Sequence, residues 1–356
     1  MHSSISSFER IIPYQPWRPV LTAVLVIVAA AAVSWELKVR SWGYGPCLND
    51  SEDLWADRRS AVRPDSLVII GDSRPHFDLD LDELQHGLGQ RPIQLALDGS
   101  CVYPVLANLA NDESFHGTVI CSVVPGMFLA PGGPLVENSQ RAIDRYHHWT
   151  WAQRSSHELG MLLEERIAFL KEGELNLNAL LKKIPLPRRA GTGGPALPPY
   201  FASLDRERRA RMVELCANPG PLQDRVKYGW LPLFTPPPPP PYITDKAAFG
   251  KQMGMAVEQR FHDAATAVGK IRARGGKVVL VRFPMSGQLK ELEAKATPKA
   301  GPWTRILHDT GAPGIYFEDF PELSSFECPE WSHLSAPDSV EFTKRLVPHL
   351  RKALGL

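Results

Sequence analysis

A serine stands three residues after the end of an apolar run in the first quarter of the chain. Residues 66–70, Ser-Leu-Val-Ile-Ile, have the composition of a buried strand, and Gly-Asp-Ser-Arg occupies residues 71–74. Gly71 permits a tight turn, and a helix after it would aim amide N–H groups and its positive dipole end back at the turn. Ser73 can therefore be a nucleophile beside an oxyanion site, if a base reaches it. The alternative is a turn that only caps a helix.

A candidate base stands near the C-terminus, in the sequence Glu-Trp-Ser-His of residues 330–333. Glu330 precedes His333 by three residues, just before a predicted helix start at which Ser335 and Asp338 have the spacing of a capping pair. A carboxylate so placed on a loop can reach Nδ1 of the imidazole and leave Nε2 free to act as base. The alternative for His333 is a loop histidine held by local hydrogen bonds.

Together these two segments resemble the SGNH/GDSL hydrolase superfamily. Its first block, a nucleophilic serine in a Gly-Asp-Ser turn after the first strand, matches residues 71–73. Its last block, Asp-x-x-His, matches Glu330 and His333, with glutamate in place of aspartate. The resemblance implies catalytic roles for Ser73, His333 and Glu330, and an oxyanion donor at Gly99 after the second strand. It also implies a flavodoxin-like SGNH fold, which is a three-layer α/β sandwich with a central, mostly parallel sheet.

The third block of that superfamily, Gly-x-Asn-Asp, supplies an asparagine to the oxyanion hole after the third strand. Residues 122–128 of this chain read Ser-Val-Val-Pro-Gly-Met-Phe and contain no asparagine. The backbone N–H groups of Ser73 and Gly99 would then have to bind the oxyanion. Loss of one donor costs roughly 3 kcal/mol of transition-state stabilisation. A catalytically silent SGNH-fold subunit for binding or assembly is therefore the alternative to an enzyme.

Further polar residues lie near the predicted strand ends. Asp72 and Arg74 flank the serine, and Arg282 ends a later apolar run. We assign these three to the predicted oxyanion and substrate-binding region, where the arginines would bind an anionic group; pairing with carboxylates is their alternative. The aspartates at residues 78, 80 and 82 could indicate a metal or phosphotransfer site, but such a site needs an apolar strand that leads into the first aspartate, and none is present. They are therefore interpreted as an acidic first helical turn. No metal and no other cofactor is predicted.

Strands and helices alternate along much of the chain. Apolar runs predict strands at residues 66–70, 92–97, 118–124, 277–283 and 314–318, and helical patterns lie at residues 102–110, 251–274 and 335–354. Uniformly apolar strands in such an alternation indicate a parallel sheet covered by helices on both faces. Ligands bind beyond the carboxyl ends of the strands in such sheets, which is where Ser73 falls.

The interval of residues 125–249 breaks this alternation and is interpreted as an insertion that caps the sheet. It contains an amphipathic helical pattern near residues 158–170, a basic stretch rich in proline and glycine at 182–199, and six consecutive prolines at 236–241. A run of six prolines must be extended.

An apolar N-terminal segment decides the predicted compartment. Residues 20–35 carry no charge, and the run reaches the lower limit of the roughly 17–25 apolar residues that a membrane span needs. We predict an uncleaved anchor; a cleaved signal peptide and a buried core helix are the alternatives. The predicted organisation is a tail at residues 1–19, a transmembrane anchor at 20–37, a connector at 38–64 and an SGNH-like domain at 65–356.

Composition narrows the class of function. The formal net charge is +1, and no motif of nucleic-acid recognition is present. The five cysteines are scattered singly, without the spacing of metal ligands. With an anchor and Arg74 after the serine, the chain resembles the cell-envelope branch of the superfamily. We expect a single-pass membrane protein, periplasmic in a Gram-negative cell, that transfers or hydrolyses ester-linked acyl groups on a cell-surface or exported carbohydrate. A multi-spanning membrane O-acyltransferase is its expected partner.

Overall fold

The structure is a computed structural model that describes residues 16–171, 175–176, 181, 201–234 and 243–356. The basic stretch and the six prolines of the predicted insertion lie outside these residues. The chain divides into two compact units, residues 1–45 and 46–356, which are described separately.

The described part of the N-terminal unit is dominated by the helix Trp17–Ser41, which has 25 residues. The helix extends beyond both ends of the predicted anchor. Its most apolar window has a mean hydropathy of 2.2, and none of that window is buried. By length and composition the helix could cross a membrane, although a signal sequence meets the same criteria.

The strands of the second unit form a five-stranded sheet and a separate hairpin in the part of the chain that the structure describes. They are β1 (Leu67–Ile70), β2 (Ile93–Gln94), β3 (Thr118–Ser122), β4 (Ala202–Leu204), β5 (Ala210–Met212), β6 (Lys277–Arg282) and β7 (Gly314–Tyr316). The large sheet has the order β2-β1-β3-β6-β7, and its neighbouring strands run parallel. The predicted parallel sheet is therefore confirmed. Strands β2 and β7 are shorter than the apolar runs that predicted them.

The two faces of β1 contribute to two different apolar clusters. Val68 and Ile70 belong to one cluster, and Leu67 and Ile69 belong to the other. Successive side chains of a strand point to opposite faces, so a strand that is buried on both faces must be apolar throughout. The first cluster includes residues of helices Tyr103–Asn111 and Lys246–Ala273; the second includes residues of helices Leu81–Leu88 and Ala336–Leu354.

The helices of this unit, within the described residues, vary from one turn to 28 residues. They are Glu52–Ser60, Ser73–Asp78, Leu81–Leu88, Tyr103–Asn111, Pro125–Phe128, Pro134–His147, Trp151–Glu164, Glu214–Ala217, Pro221–Trp230, Lys246–Ala273, Gly287–Ala296, Thr304–Thr310, Pro321–Ser324 and Ala336–Leu354. Several helices begin at a serine or aspartate whose side chain accepts a backbone N–H group of the first turn. For example, Oδ1 of Asp80 accepts the N–H groups of Asp82 and Glu83, both at 3.0 Å.

The predicted connector is structured over much of its length. Its helix Glu52–Ser60 buries Trp55, whose Nε1 donates to the carbonyl of Leu95 at 2.9 Å. The compact unit accordingly begins at Pro46 rather than at residue 65. The pattern of residues 38–64 did not predict this, because the helix is short and six of its nine residues are polar.

The region predicted as an insertion packs against the helix that carries Ser73. Strands β4 and β5 and helix Pro221–Trp230 form a third apolar cluster, which Phe77 of helix Ser73–Asp78 joins. Phe77 and Phe201 stack with ring centroids 5.3 Å apart. This packing places part of the insertion next to the end of β1.

Candidate active site

The turn after β1 needs glycine at position 71. A Cβ on this residue would lie 2.5 Å from Cβ of Ser122 and 2.6 Å from Cγ of Pro75, far inside van der Waals contact. Only glycine therefore lets the chain turn here without moving β3 or the next helix. Ser73 follows two residues later and is partly exposed.

Asp72 is the N-cap of helix Ser73–Asp78. Its Oδ1 accepts the backbone N–H of Arg74 at 2.9 Å and a longer bond from Oγ of Ser122 at 3.4 Å. The residue is 4% exposed. Its role in the structure is to fix the turn, which corrects its assignment to the substrate-binding region. Ser73 becomes the first helical residue, where an amide N–H has no acceptor within the helix.

The loop that carries His333 is held directly after the histidine. Ser335 caps helix Ala336–Leu354: its Oγ accepts the N–H of Asp338 at 3.3 Å and donates to Oδ2 of Asp338 at 2.6 Å. The predicted capping pair is therefore confirmed. At the residue between His333 and Ser335, the backbone N–H of Leu334 donates to Oδ1 of Asp78 at 2.8 Å.

Ser73, His333 and Glu330 form a continuous series of hydrogen bonds. Nε2 of His333 lies 2.7 Å from Oγ of Ser73, and Nδ1 lies 2.9 Å from Oε1 of Glu330. The same Oε1 accepts the backbone N–H groups of His333 at 2.5 Å and Ser332 at 3.3 Å. Glu330 and His333 are fully buried, whereas Ser73 is partly exposed. These distances are those of a nucleophile, its base and a group that orients the base.

The surroundings raise the pKa of His333 above its ordinary value. Burial acts in the opposite direction, because it disfavours the imidazolium. The charge of Glu330 and the hydrogen bond that it accepts outweigh burial, with a smaller contribution from the charge of Asp98. Glu330 thus favours the protonated ring that a general base becomes after it takes the proton of a serine.

The comparisons with known proteins provide no relative. No protein-family model, curated protein or solved structure matches this chain.

Gly99, the predicted second oxyanion donor, lies in an exposed turn after β2 and has a φ of +58°. Its carbonyl accepts the side-chain amide of Asn138 at 3.0 Å. Asn138 belongs to helix Pro134–His147. It is therefore not the asparagine of the third block, which would lie within residues 122–128. Asn138 holds the Gly99 turn in place. The binding of an oxyanion by the amides of Ser73 and Gly99 stays a prediction.

Arg74 and Arg282 pair with one buried carboxylate, that of Glu293. Nη2 of Arg74 lies 2.7 Å from Oε2 and Nη2 of Arg282 lies 2.7 Å from Oε1. All three residues are less than 5% exposed. Burial alone would raise the pKa of Glu293, but Arg282 and Arg74 lower it to about 2. The prediction that either arginine binds an anionic substrate group is corrected: both brace the carboxyl ends of the strands.

Asp78 lies beneath the histidine loop and does not belong to an acidic first helical turn. It ends helix Ser73–Asp78 and is fully buried. Its Oδ1 accepts from Leu334, and its Oδ2 has no hydrogen-bond partner among the described residues. Burial raises the pKa of Asp78 to about 8, although the charge of His333 and the N–H of Leu334 oppose the rise. Asp78 is therefore largely protonated at neutral pH.

A second group of polar side chains consists of His76, on the helix Ser73–Asp78, together with Asp50 and Asp98. Their potential ligand atoms lie within 4.8 Å of one another. Nδ1 of His76 lies 2.9 Å from Oδ1 of Asp98, and both carboxylate oxygens of Asp50 accept from the buried guanidinium of Arg208, at 2.8 and 2.9 Å. The carboxylates thus already have partners, and the cation of Arg208 disfavours a metal ion beside it.

Three aromatic rings surround the imidazole of His333. Ring centroids lie at 4.4 Å for Phe77, 5.7 Å for Phe201 and 5.8 Å for Trp230. Phe201 and Trp230 belong to the region predicted as an insertion, and the sequence reasoning did not assign them to the site. The sequence does contain one indication for Trp230. It follows Val226 by one helical turn, so both side chains lie on the same side of the helix, and Val226 is buried.

Proposed function

We propose that this protein transfers or hydrolyses ester-linked acyl groups through a Ser73–His333–Glu330 triad, as an SGNH-like enzyme. The observation that carries the proposal is the continuous hydrogen bonding from Oγ of Ser73 through both nitrogens of His333 to Glu330. In an enzyme of this kind Oγ of Ser73 attacks the acyl carbonyl while Nε2 of His333 takes the hydroxyl proton. Glu330 stabilises the imidazolium that results.

The second half of the reaction returns the enzyme to its starting state. The imidazolium of His333 gives its proton to the departing alkoxide as the ester C–O bond breaks, which leaves the acyl group on Ser73. Water or a sugar hydroxyl then loses its proton to His333 and attacks the acyl carbon, and Ser73 leaves with the proton. The product is a free acid in hydrolysis or a new ester in transfer.

The topology of the sheet supports the proposal. If the β4–β5 hairpin is not counted, the order β2-β1-β3-β6-β7 is the order 2-1-3-4-5 of flavodoxin-like sheets. Ser73 follows β1, next to the point at which the strand order reverses, and this is where ligands bind in such sheets. A flavodoxin-like SGNH fold, with the serine after the first strand and the histidine before the last helix, accounts for both positions.

The proposed substrate is a carbohydrate ester outside the cytoplasm. The support is the resemblance to the cell-envelope branch of the superfamily together with the apolar helix Trp17–Ser41. If this helix is an uncleaved anchor, the catalytic domain stays at the membrane surface. A multi-spanning membrane O-acyltransferase then acts beside it as the partner that supplies or receives the acyl group.

An ester assay tests the chemistry. The full-length protein in detergent should hydrolyse an activated acetyl ester, and Ser73→Ala should abolish this activity. Ser325→Ala is the matched control, because Ser325 is exposed and its Oγ donates to the carbonyl of Glu322. Equal activity of the wild-type protein and Ser73→Ala overturns the nucleophile assignment. Absence of any activity favours the alternative of a silent binding or assembly subunit.

A further inference from the structure

Trp230 is bonded to Glu330 through its indole nitrogen. Nε1 lies 2.5 Å from Oε2 of the Glu330 carboxylate and 3.0 Å from the Glu330 carbonyl oxygen. Oε1 of Glu330 is occupied by the imidazole and by two backbone N–H groups. Within the described residues Oε2 accepts from Trp230 alone, so this bond completes the hydrogen bonding of a fully buried carboxylate.

The element that carries Trp230 contacts the histidine loop at a second point. Tyr228, two residues earlier on helix Pro221–Trp230, meets the ring of Trp331 edge to face, with centroids 6.0 Å apart. Trp331 lies between Glu330 and Ser332 and has a φ of +81°, a left-handed conformation that is unfavourable for a bulky residue. The helix therefore lies over a loop that is held in an unfavourable conformation.

We propose that Trp230 is a positioning residue of the site, which holds the Glu330 carboxylate through its indole N–H and thereby sets how strongly Glu330 acts on His333. The inference rests on the proposed function. It assigns to the inserted region, which lies more than 80 residues upstream of the histidine loop, a part in the catalytic apparatus. Trp230 acts through Glu330 and does not touch the reacting atoms.

The consequence for the imidazole has a definite sign. A hydrogen bond donated to Oε2 withdraws charge from the carboxylate and weakens its attraction for the imidazolium. Removal of this donor leaves a more basic carboxylate, which holds a proton on His333 more firmly. The pKa of His333 should therefore rise, and the acid limb of the rate profile should move to higher pH. A mere loss of packing would lower stability without this shift.

The test is the variant Trp230→Phe, which keeps an aromatic ring beside His333 and removes the N–H. Loss of the indole N–H lets the Glu330 carboxylate leave the position in which it orients His333; because such a charge-assisted hydrogen bond changes equilibria by roughly tenfold or more, we expect kcat to fall at least about fivefold with KM within twofold. The control, Tyr228→Phe, changes one hydroxyl on the same helix and should match the wild-type protein. In a Glu330→Gln background, Trp230→Phe should have less than a twofold effect.

An NMR titration of the His333 ring in wild type and Trp230→Phe provides a readout that does not require catalysis. A higher imidazole pKa in the variant supports the assignment, and an unchanged or lower pKa overturns it. An unshifted acid limb, or an equal loss of kcat in the Glu330→Gln background, overturns it as well. If the wild-type protein has no esterase activity, the proposed function fails, and the titration still decides the role of Trp230.

Discussion

Oδ1 of Asp78 accepts the backbone N–H of Leu334 at 2.8 Å, so one buried side chain ties the serine helix to the histidine loop. Asp78 ends the helix that begins at Ser73, and Leu334 follows His333 directly. This hydrogen bond therefore holds the nucleophile and the base together. It joins the last residue of the helix that begins at Ser73 to the residue that follows His333. The bond needs only an acceptor oxygen, which a protonated Asp78 retains.

The raised pKa of Asp78 makes folding stability depend on pH. The folded state keeps the carboxyl protonated up to about pH 8, whereas the unfolded chain releases the proton near its ordinary value of 3.8. Between these values the unfolded state binds fewer protons, so the free energy of unfolding falls as pH rises, by about 1.4 kcal/mol per pH unit from this group. Asp78→Asn, which mimics the protonated acid, should remove this slope.

The measurement is denaturant unfolding of both proteins at several pH values between 5 and 8. Other titrating groups contribute equally to the unfolding free energies of both proteins, so the difference between Asp78→Asn and wild type reports on Asp78 alone. As pH rises, the variant should become more stable relative to the wild-type protein. Asp65→Asn, at an exposed position, is the control and should show a constant difference. A constant difference for Asp78→Asn would show that Asp78 is ionised in the folded protein.

Glu293 should contribute strongly to stability at neutral pH. Glu293→Gln removes the negative charge that balances two buried arginines, and breaking a buried ion pair in this way costs roughly 3–5 kcal/mol. The pKa of Glu293 is lowered to about 2, so its contribution is present above the unfolded value of about 4.5 and is lost as pH falls toward 2. Chemical denaturation at pH 7 measures the loss.

The matched control for this variant is Glu258→Gln. Glu258 forms a two-point ion pair with Arg305, but its side chain is 61% exposed, so solvent screens the pair and its loss should cost far less than the loss of Glu293. Similar losses for the two variants would show that the buried cluster does not brace the strand ends.

Glu330 should tolerate aspartate better than glutamine. Glu330→Gln can donate its amide to Nδ1 of His333 and favour the wrong tautomer, an error that costs up to about four orders of magnitude in a tightly coupled triad. Glu330→Asp keeps the charge, although the shorter side chain strains the bond to Trp230. We expect kcat/KM for acetyl ester hydrolysis to be at least tenfold lower for Gln than for Asp. Equal rates for all three proteins would leave a Ser73–His333 dyad.

The topology of the chain in the membrane can be tested with a C-terminal fusion. The proposed orientation has an uncleaved anchor at Trp17–Ser41 and the domain outside the cytoplasm. A reporter that is active only in the cytoplasm should therefore give no signal, while the protein sediments with membranes. A strong cytoplasmic signal would contradict both the orientation and the proposed carbohydrate substrate.

The residues of the triad and the parallel sheet could be predicted because short local patterns specify them. The spacing of Glu330 and His333 and the Ser335–Asp338 cap both reflect contacts within a few residues. Trp230 and Glu293 act across long separations in sequence, where no pattern marks the partner. For the same reason Arg74 and Arg282 were assigned to a substrate: their position at strand ends was predictable, but the carboxylate between them was not.

The reactivity of Ser73 is the property on which the proposed triad depends most directly. A fluorophosphonate probe should form one covalent adduct with the full-length protein, and peptide mapping by mass spectrometry should locate it on Ser73. The labelling rate should fall by orders of magnitude in His333→Ala and stay unchanged in Ser325→Ala, because only His333 activates the hydroxyl. An adduct on another residue, or a rate that does not depend on His333, would contradict the triad.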